Sequence, residues 1–327
     1  MRAAALSVWH RALVLGVACV VMLIAVYALA VHTPTGQLFE DDVLRAADAI
    51  AGSAEQTDAL DTLDVISVPT VVVAILIIFL IGAMRRRFLL AALAVAAIVA
   101  AMVTAELIQR YGSRPILLSH GYRREDKSFP SGHTTTAMAL MCGLALVVPY
   151  RVRGLAVAVS SLFAAGVGVA TVTASWHRPS DTIGAGLIVV GYASAAVAVL
   201  ARCGKVRPAA LPSPLGRGLR AALATACAGV AVLSFAGAGV AVAVTLLDAH
   251  PGEHATAMLT AGRLLALSGS ASVAAALLGL LRQVDLGIDE EGTPDVPPGL
   301  HRPAGPQRGV PRDRGGALGP GADVPGS

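Results

Sequence analysis

Eight apolar blocks limit what this chain can become. They fall at about 12–31, 65–84, 88–108, 132–149, 154–174, 182–201, 220–247 and 264–281. Each is close to the ~20 residues that a helix needs to cross a hydrocarbon core of ~30 Å. The blocks are continuous, so they lack the single apolar stripe of a helix on a soluble core. They do not alternate residue by residue, as the strands of a membrane barrel do. Lipid offers backbone N–H and C=O groups no partner, so each block has to be a helix. Composition agrees: 55% of the 327 residues are hydrophobic and 14% charged, against roughly 25% charged in soluble domains. The expected fold class is all-α and integral to a membrane.

Three regions follow. Residues 1–201 hold six blocks and form a six-helix core. Residues 202–281 hold a linker and two additional transmembrane helices. Residues 282–327 are rich in Pro, Gly and Arg and read as a disordered cytoplasmic tail. The first block, with "ALA" at 28–30, has the make-up of a signal peptide. It is longer than the roughly 7–15 apolar residues of such a peptide, so it reads as an uncleaved anchor.

Lys and Arg set the orientation. With the N-terminus in the cytoplasm, most of the 25 basic residues lie inside, among them Arg85, Arg86, Arg87, Arg151, Arg153, Arg202, Lys205, Arg207, Arg217 and Arg220. Both termini are then cytoplasmic, in a plasma or inner membrane. The loop at 32–64 lies outside; it is acidic, with Arg45 as its one basic residue. Its stretch "LFEDDVLRAADAI" reads as an amphipathic, solvated helix. The net charge of +4 follows from the inside bias and asks for no nucleic-acid partner; the partner is the bilayer. Cys19, Cys142, Cys203 and Cys227 avoid the outside loops and lack metal-ligand spacing, so neither a disulfide nor a metal site is expected.

Three polar stretches then meet on the outer side: "QRYGSRP" after the third block, "KSFPSGH" before the fourth, and "SWHRPSD" between the fifth and sixth. Segments far apart in sequence that converge on one end of a bundle can build a site. His177 and Asp181 are four apart, so on a helical turn they share a face. A carboxylate on one ring nitrogen fixes the tautomer and leaves the other nitrogen as a nucleophile. His133, on a separate segment, has the chemistry of a general acid. Arg114 offers planar donors suited to phosphate. Ser131 and Gly132 open the fourth helix, where free N–H groups and the helix dipole favour an anion. Two histidines, an aspartate, an arginine and a helix N-terminus suit phosphoryl transfer without a metal or other cofactor, because these groups can carry the transition-state charge.

The residues "RP" at 114–115, "PSGH" at 130–133 and "HxxxD" at 177–181 resemble, in order and spacing, the three signature motifs of the type 2 phosphatidic acid phosphatase family. The resemblance covers somewhat over half the chain. It implies a six-helix core and a metal-independent phosphatase acting on membrane lipid phosphates from the extracytoplasmic face. It also implies His177 as nucleophile through a phosphohistidine, Asp181 as its partner, His133 as acid to the leaving group, and Arg114 with Ser131 and Gly132 holding the phosphate. Two positions depart from the pattern. Leu107 stands where the first motif has a lysine, and Thr171 where the third has an arginine. Arg110, Lys127 and Arg178 lie close enough in sequence to replace the missing charges.

Two other readings remain open. One is a phosphotransferase that passes the phosphoryl group to an acceptor other than water. The other is a non-catalytic lipid-binding or scaffold protein on the same fold, which Leu107 and Thr171 favour and the intact histidines oppose. Phosphatidic acid, phosphatidylglycerol phosphate, an isoprenyl diphosphate and a phosphorylated prenyl sugar all fit as substrates.

Overall fold

The protein is described by a computed structural model that covers residues 3–118, 128–209, 214–247 and 251–287. Every apolar block forms a helix. The helices are α1 (Ala3–Val31), α2 (Pro34–Asp48), α3 (Ala54–Asp64), α4 (Val68–Met84), α5 (Phe88–Tyr111), α6 (Gly132–Val147), α7 (Tyr150–Thr173), α8 (Pro179–Arg202), α9 (Pro214–Leu247) and α10 (Pro251–Leu280). The protein is an all-α integral membrane protein. Its outward faces are greasy: Val14, Val21 and Ile24 on α1, Leu155 and Leu162 on α7, and Leu233 and Phe235 on α9 are all exposed. That much exposed apolar surface needs lipid around it.

Among the described residues, six helices are long and apolar enough to cross a bilayer unaided: α1, α5, α7, α8, α9 and α10. The other two blocks differ from the expected simple spans. α4 reaches the required length only together with α3, across a bend of 52°. α6 has 16 residues, or ~24 Å at 1.5 Å per residue. Proline sets both of its limits. Pro130 precedes the Ser131 N-cap, and Val148–Pro149 ends the helix, since proline cannot continue a backbone ladder.

α6 sits centrally, packed between α5 and α7 and against α8, with Met138, Met141, Cys142 and Leu146 in the main apolar core. α1 lies along α8, and α9 pairs with α10. α10 begins at Pro251, well before the block at 264–281, because its first half mixes His254 and Arg263 with small apolar residues. That half is buried against protein, packing on α2 and α7. Gly262 permits this: a Cβ there would come within 2.5 Å of the Val43 side chain on α2.

The described residues hold one small sheet. Strand β1 (Val206–Pro208) pairs antiparallel with β2 (Val284–Leu286), with Arg207 opposite Asp285. This ladder ties the ends of α8 and α10 together. Asp285 binds Arg87 at 2.7 Å, and the buried Arg153 donates to Val284 O at 2.6 Å. Residues 282–287, the start of the stretch read as a disordered tail, therefore belong to the folded unit.

The acidic loop differs most from expectation. It is helical, and the acids of α3 are exposed, but one face of α2 is not solvated. Glu40 is 2% exposed and Asp41 8%. Gln37, Glu40, Asp41, Leu44 and Ala47 form one buried face of α2, with the spacing of a single helix stripe.

Candidate active site

The site is built where α6 and α8 begin, beside the end of α5, under α2. Ser131 caps α6. Its Oγ accepts from Thr134 N at 3.3 Å, and it is fully buried. The Ser131 N–H donates to the Asp181 carbonyl at 3.0 Å. This bond joins the second motif to the third. Close packing supports the join: a Cβ at Gly184 would lie 2.5 Å from the Phe129 ring, so only glycine lets the turn before α6 lie on α8. Gln109 Nε2 on α5 donates to Pro130 O, and to Ser128 O at 3.3 Å. It fixes the same turn from the other side. A Cβ at Gly132 would meet nothing within 4 Å, so the first turn of α6 faces open space.

His177 Nδ1 lies 3.3 Å from Asp181 Oδ2. The same oxygen accepts the Arg178 backbone N–H at 2.9 Å, so the carboxylate closes the first turn of α8 while it holds the imidazole. Asp181 is fully buried. His177 N and Trp176 N both donate to Thr171 O, which folds the loop back over the end of α7. His177 Nε2 has no hydrogen-bond partner among the described residues. His133, half-buried on α6, lies within electrostatic reach of His177 and of Asp64 at the end of α3. Its ring centroid is 5.4 Å from that of Trp176.

The arginines are held by α2. Arg114 Nη2 lies 3.4 Å from Glu40 Oε2. The other Glu40 oxygen accepts the Ser180 N–H at 3.1 Å. Arg178, 1% exposed, donates to Asp41 Oδ1 at 3.1 Å and to Ser128 Oγ at 2.9 Å. Burial raises the Glu40 carboxyl to about 7. The nearby Asp181 charge adds to this, and the Ser180 hydrogen bond, Arg114 and Arg178 oppose it. Arg114 Nη1 and Ser180 Oγ are buried donors with no protein partner among the described residues.

The structure thus brings together His177, Asp181, His133, Arg114, Ser131, Gly132 and Arg178. Arg110 is exposed, with its guanidinium 5.9 Å from the Tyr111 ring centroid; Gln109 is the residue that turns inward. Lys127 lies outside the described residues. Leu107, in place of the motif lysine, is 49% exposed, and Thr171, in place of the motif arginine, is fully buried. Glu40, Asp41, Ser128 and Gln109 are the site residues that sequence reasoning missed.

These features define a class: a membrane-embedded helical bundle with a histidine–aspartate pair, a second histidine, an arginine and a helix N-terminus at one end. Residues 105–205, about a third of the chain, match the family model of the PAP2 superfamily. The chain is also 42% identical over 80 residues to a Lipid A 1-phosphatase from Rhizobium etli. The match covers 24% of this chain and 32% of that protein, so the chain spans about a third of the relative's length. No solved structure matches the chain.

Proposed function

We propose that the protein is a phosphatase of membrane lipid phosphates or diphosphates that works through a phosphohistidine at His177. One observation carries this reading: the bond from Ser131 N to Asp181 O at 3.0 Å. It sets the N-terminus of α6, with open space at Gly132, beside the His177–Asp181 pair. In the first step Asp181 holds the proton on Nδ1, and Nε2 attacks phosphorus. The bond from phosphorus to the lipid oxygen breaks, and His133 gives that oxygen a proton. In the second step His133 takes a proton from water, the water oxygen attacks phosphorus, and the P–N bond breaks to free inorganic phosphate and His177. Arg114 Nη1, Ser180 Oγ and the α6 N–H groups supply donors for the equatorial oxygens.

On this reading the chemistry belongs to side chains and asks for no metal. The relative's name supports a lipid phosphate substrate. The Lys and Arg bias of the loops puts the site on the extracytoplasmic face, with both termini inside. The test is phosphate release by purified protein in detergent micelles with EDTA, across a panel of lipid phosphates and diphosphates, with His177→Ala beside the wild type. Release that survives EDTA and disappears in the variant is expected. Equal release by both proteins would exclude His177, and no release on any lipid would favour a binding role.

A further inference from the structure

Arg114 and Arg178 do not wait free for a phosphate. Both are already held by carboxylates of α2, a helix outside the segment that matches the superfamily. The Glu40–Arg114 pair is almost dry, with side chains 3% and 8% exposed. Among the described residues the charges around it are unbalanced. Ionised Glu40, Asp41 and Asp181 face Arg114 and Arg178, which leaves one negative charge in excess while His177 is neutral. A phosphate dianion cannot enter such a pocket cheaply, because like charges in a low-dielectric site repel strongly.

We propose that Glu40 is a positioning residue that holds Arg114 in the resting site and yields it to the phosphoryl group by taking up a proton from solvent. This rests on the phosphatase reading above. The uptake makes and breaks no bond other than O–H: the ionised carboxylate becomes a neutral acid. Neutral Glu40 still accepts the Ser180 N–H and so keeps α2 docked on α8, while both Arg114 nitrogens become available. Its proton affinity, raised to about 7, puts the exchange near neutral pH.

Ionisable groups of several elements surround Glu40. Arg114 comes from the end of α5, Arg178 and Asp181 from the start of α8, and Asp41 from α2 itself. From α10, Arg263 is engaged by Thr173 and Glu55, and His254 is half-buried. Just past α1, His32 is exposed and meets the Tyr27 ring edge-on. α7 adds no ionisable side chain at this end.

The test is titration calorimetry of inorganic phosphate into the full-length protein in detergent. It uses buffers of different ionisation enthalpy, from about pH 6 to 8.5, with Glu40→Gln beside the wild type. The variant carries the background from phosphate's own ionisation. The wild type is expected to take up close to one more proton per phosphate than Glu40→Gln above about pH 7. Its affinity relative to the variant is expected to fall about tenfold per pH unit there. A merely structural Glu40 would weaken binding equally at every pH. Identical proton uptake and pH dependence in the two proteins would overturn the proposal and leave the phosphate site standing. If phosphate bound neither protein, the phosphate site would fall and the role of Glu40 with it. Should the variant not fold, wild-type uptake at about pH 8 decides: none beyond phosphate's own ionisation overturns the proposal.

Discussion

Asp181→Asn changes one buried oxygen into an amide nitrogen and puts the pair's chemistry at risk without emptying the site. Asp181 Oδ2 has two partners, the Arg178 N–H at 2.9 Å and His177 Nδ1 at 3.3 Å. If its NH₂ group takes the place of Oδ2, two donors meet at the Arg178 N–H in a fully buried position, at a cost of about 1–3 kcal/mol. The carbonyl oxygen is therefore favoured there, and it still accepts both N–H groups, with the NH₂ in the place of Oδ1, which has no partner among the described residues. The tautomer survives, but the negative charge that steadies the imidazole as it attacks is lost. A hydrogen bond to a charged group is worth about 1.5–3 kcal/mol, so we expect a loss of about 10–10² in the turnover of a lipid phosphate. Thermal unfolding should fall little, because the helix cap survives. The assay is phosphate release in detergent beside a melting curve. A folded Asp181→Asn protein within about threefold of the wild-type rate would refute the reasoning.

Three further outcomes follow from the same contacts. Asp41→Ala takes the carboxylate away from the Arg178 guanidinium, which is 1% exposed and keeps its bond to Ser128 Oγ; breaking such a buried pair costs about 3–5 kcal/mol, and a wild-type melting temperature would contradict the role of α2. Gly184→Ala drives a methyl into the Phe129 ring, 2.5 Å away; we expect a loss of about 1–3 kcal/mol and a lower rate, measured together, with an unchanged rate in folded protein counting against the packing argument. Glu40 has a proton affinity raised from 4.5 to about 7, so the folded chain binds its proton more tightly than the unfolded chain. Wild-type stability should therefore drop as pH rises from about 4.5 to 7, and Glu40→Gln should remove most of that slope in melting curves taken across the window.

The membrane helices were legible because lipid imposes one rule, and a run of apolar residues has one way to obey it. Their limits were less legible. α10 starts at Pro251 because protein, not lipid, covers its polar first half, and a hydropathy run cannot see that. The His177–Asp181 contact was legible because both residues lie on one turn of chain. Convergence of the "PSGH" and "HxxxD" segments was expected from their shared side of the membrane, although only the fold shows that Ser131 N meets Asp181 O. Glu40 and Asp41 were hidden for a definite reason. In "LFEDDVLRAAD" acidic residues read as the wet face of an amphipathic helix. The spacing of Gln37, Glu40, Asp41, Leu44 and Ala47 nonetheless puts the two acids on the same stripe as buried Leu44 and Ala47. Acids on the apolar stripe of a loop helix, in a chain with arginines stranded nearby, were the signal available. Gln109 was missed because its neighbour Arg110 carries the charge that a phosphate site invites one to expect.

The most direct test of the central claim is to trap the covalent intermediate. Purified protein would be mixed with a ³²P-labelled lipid phosphate, quenched on the millisecond scale, and examined for protein-bound label that is stable in base and lost in acid. The account predicts such label in the wild type, its absence in His177→Ala, and both slower appearance and slower loss of it in a His133→Ala variant, which lacks the acid of the first step and the base of the second. Full turnover with no label, or undiminished label in His177→Ala, would contradict it.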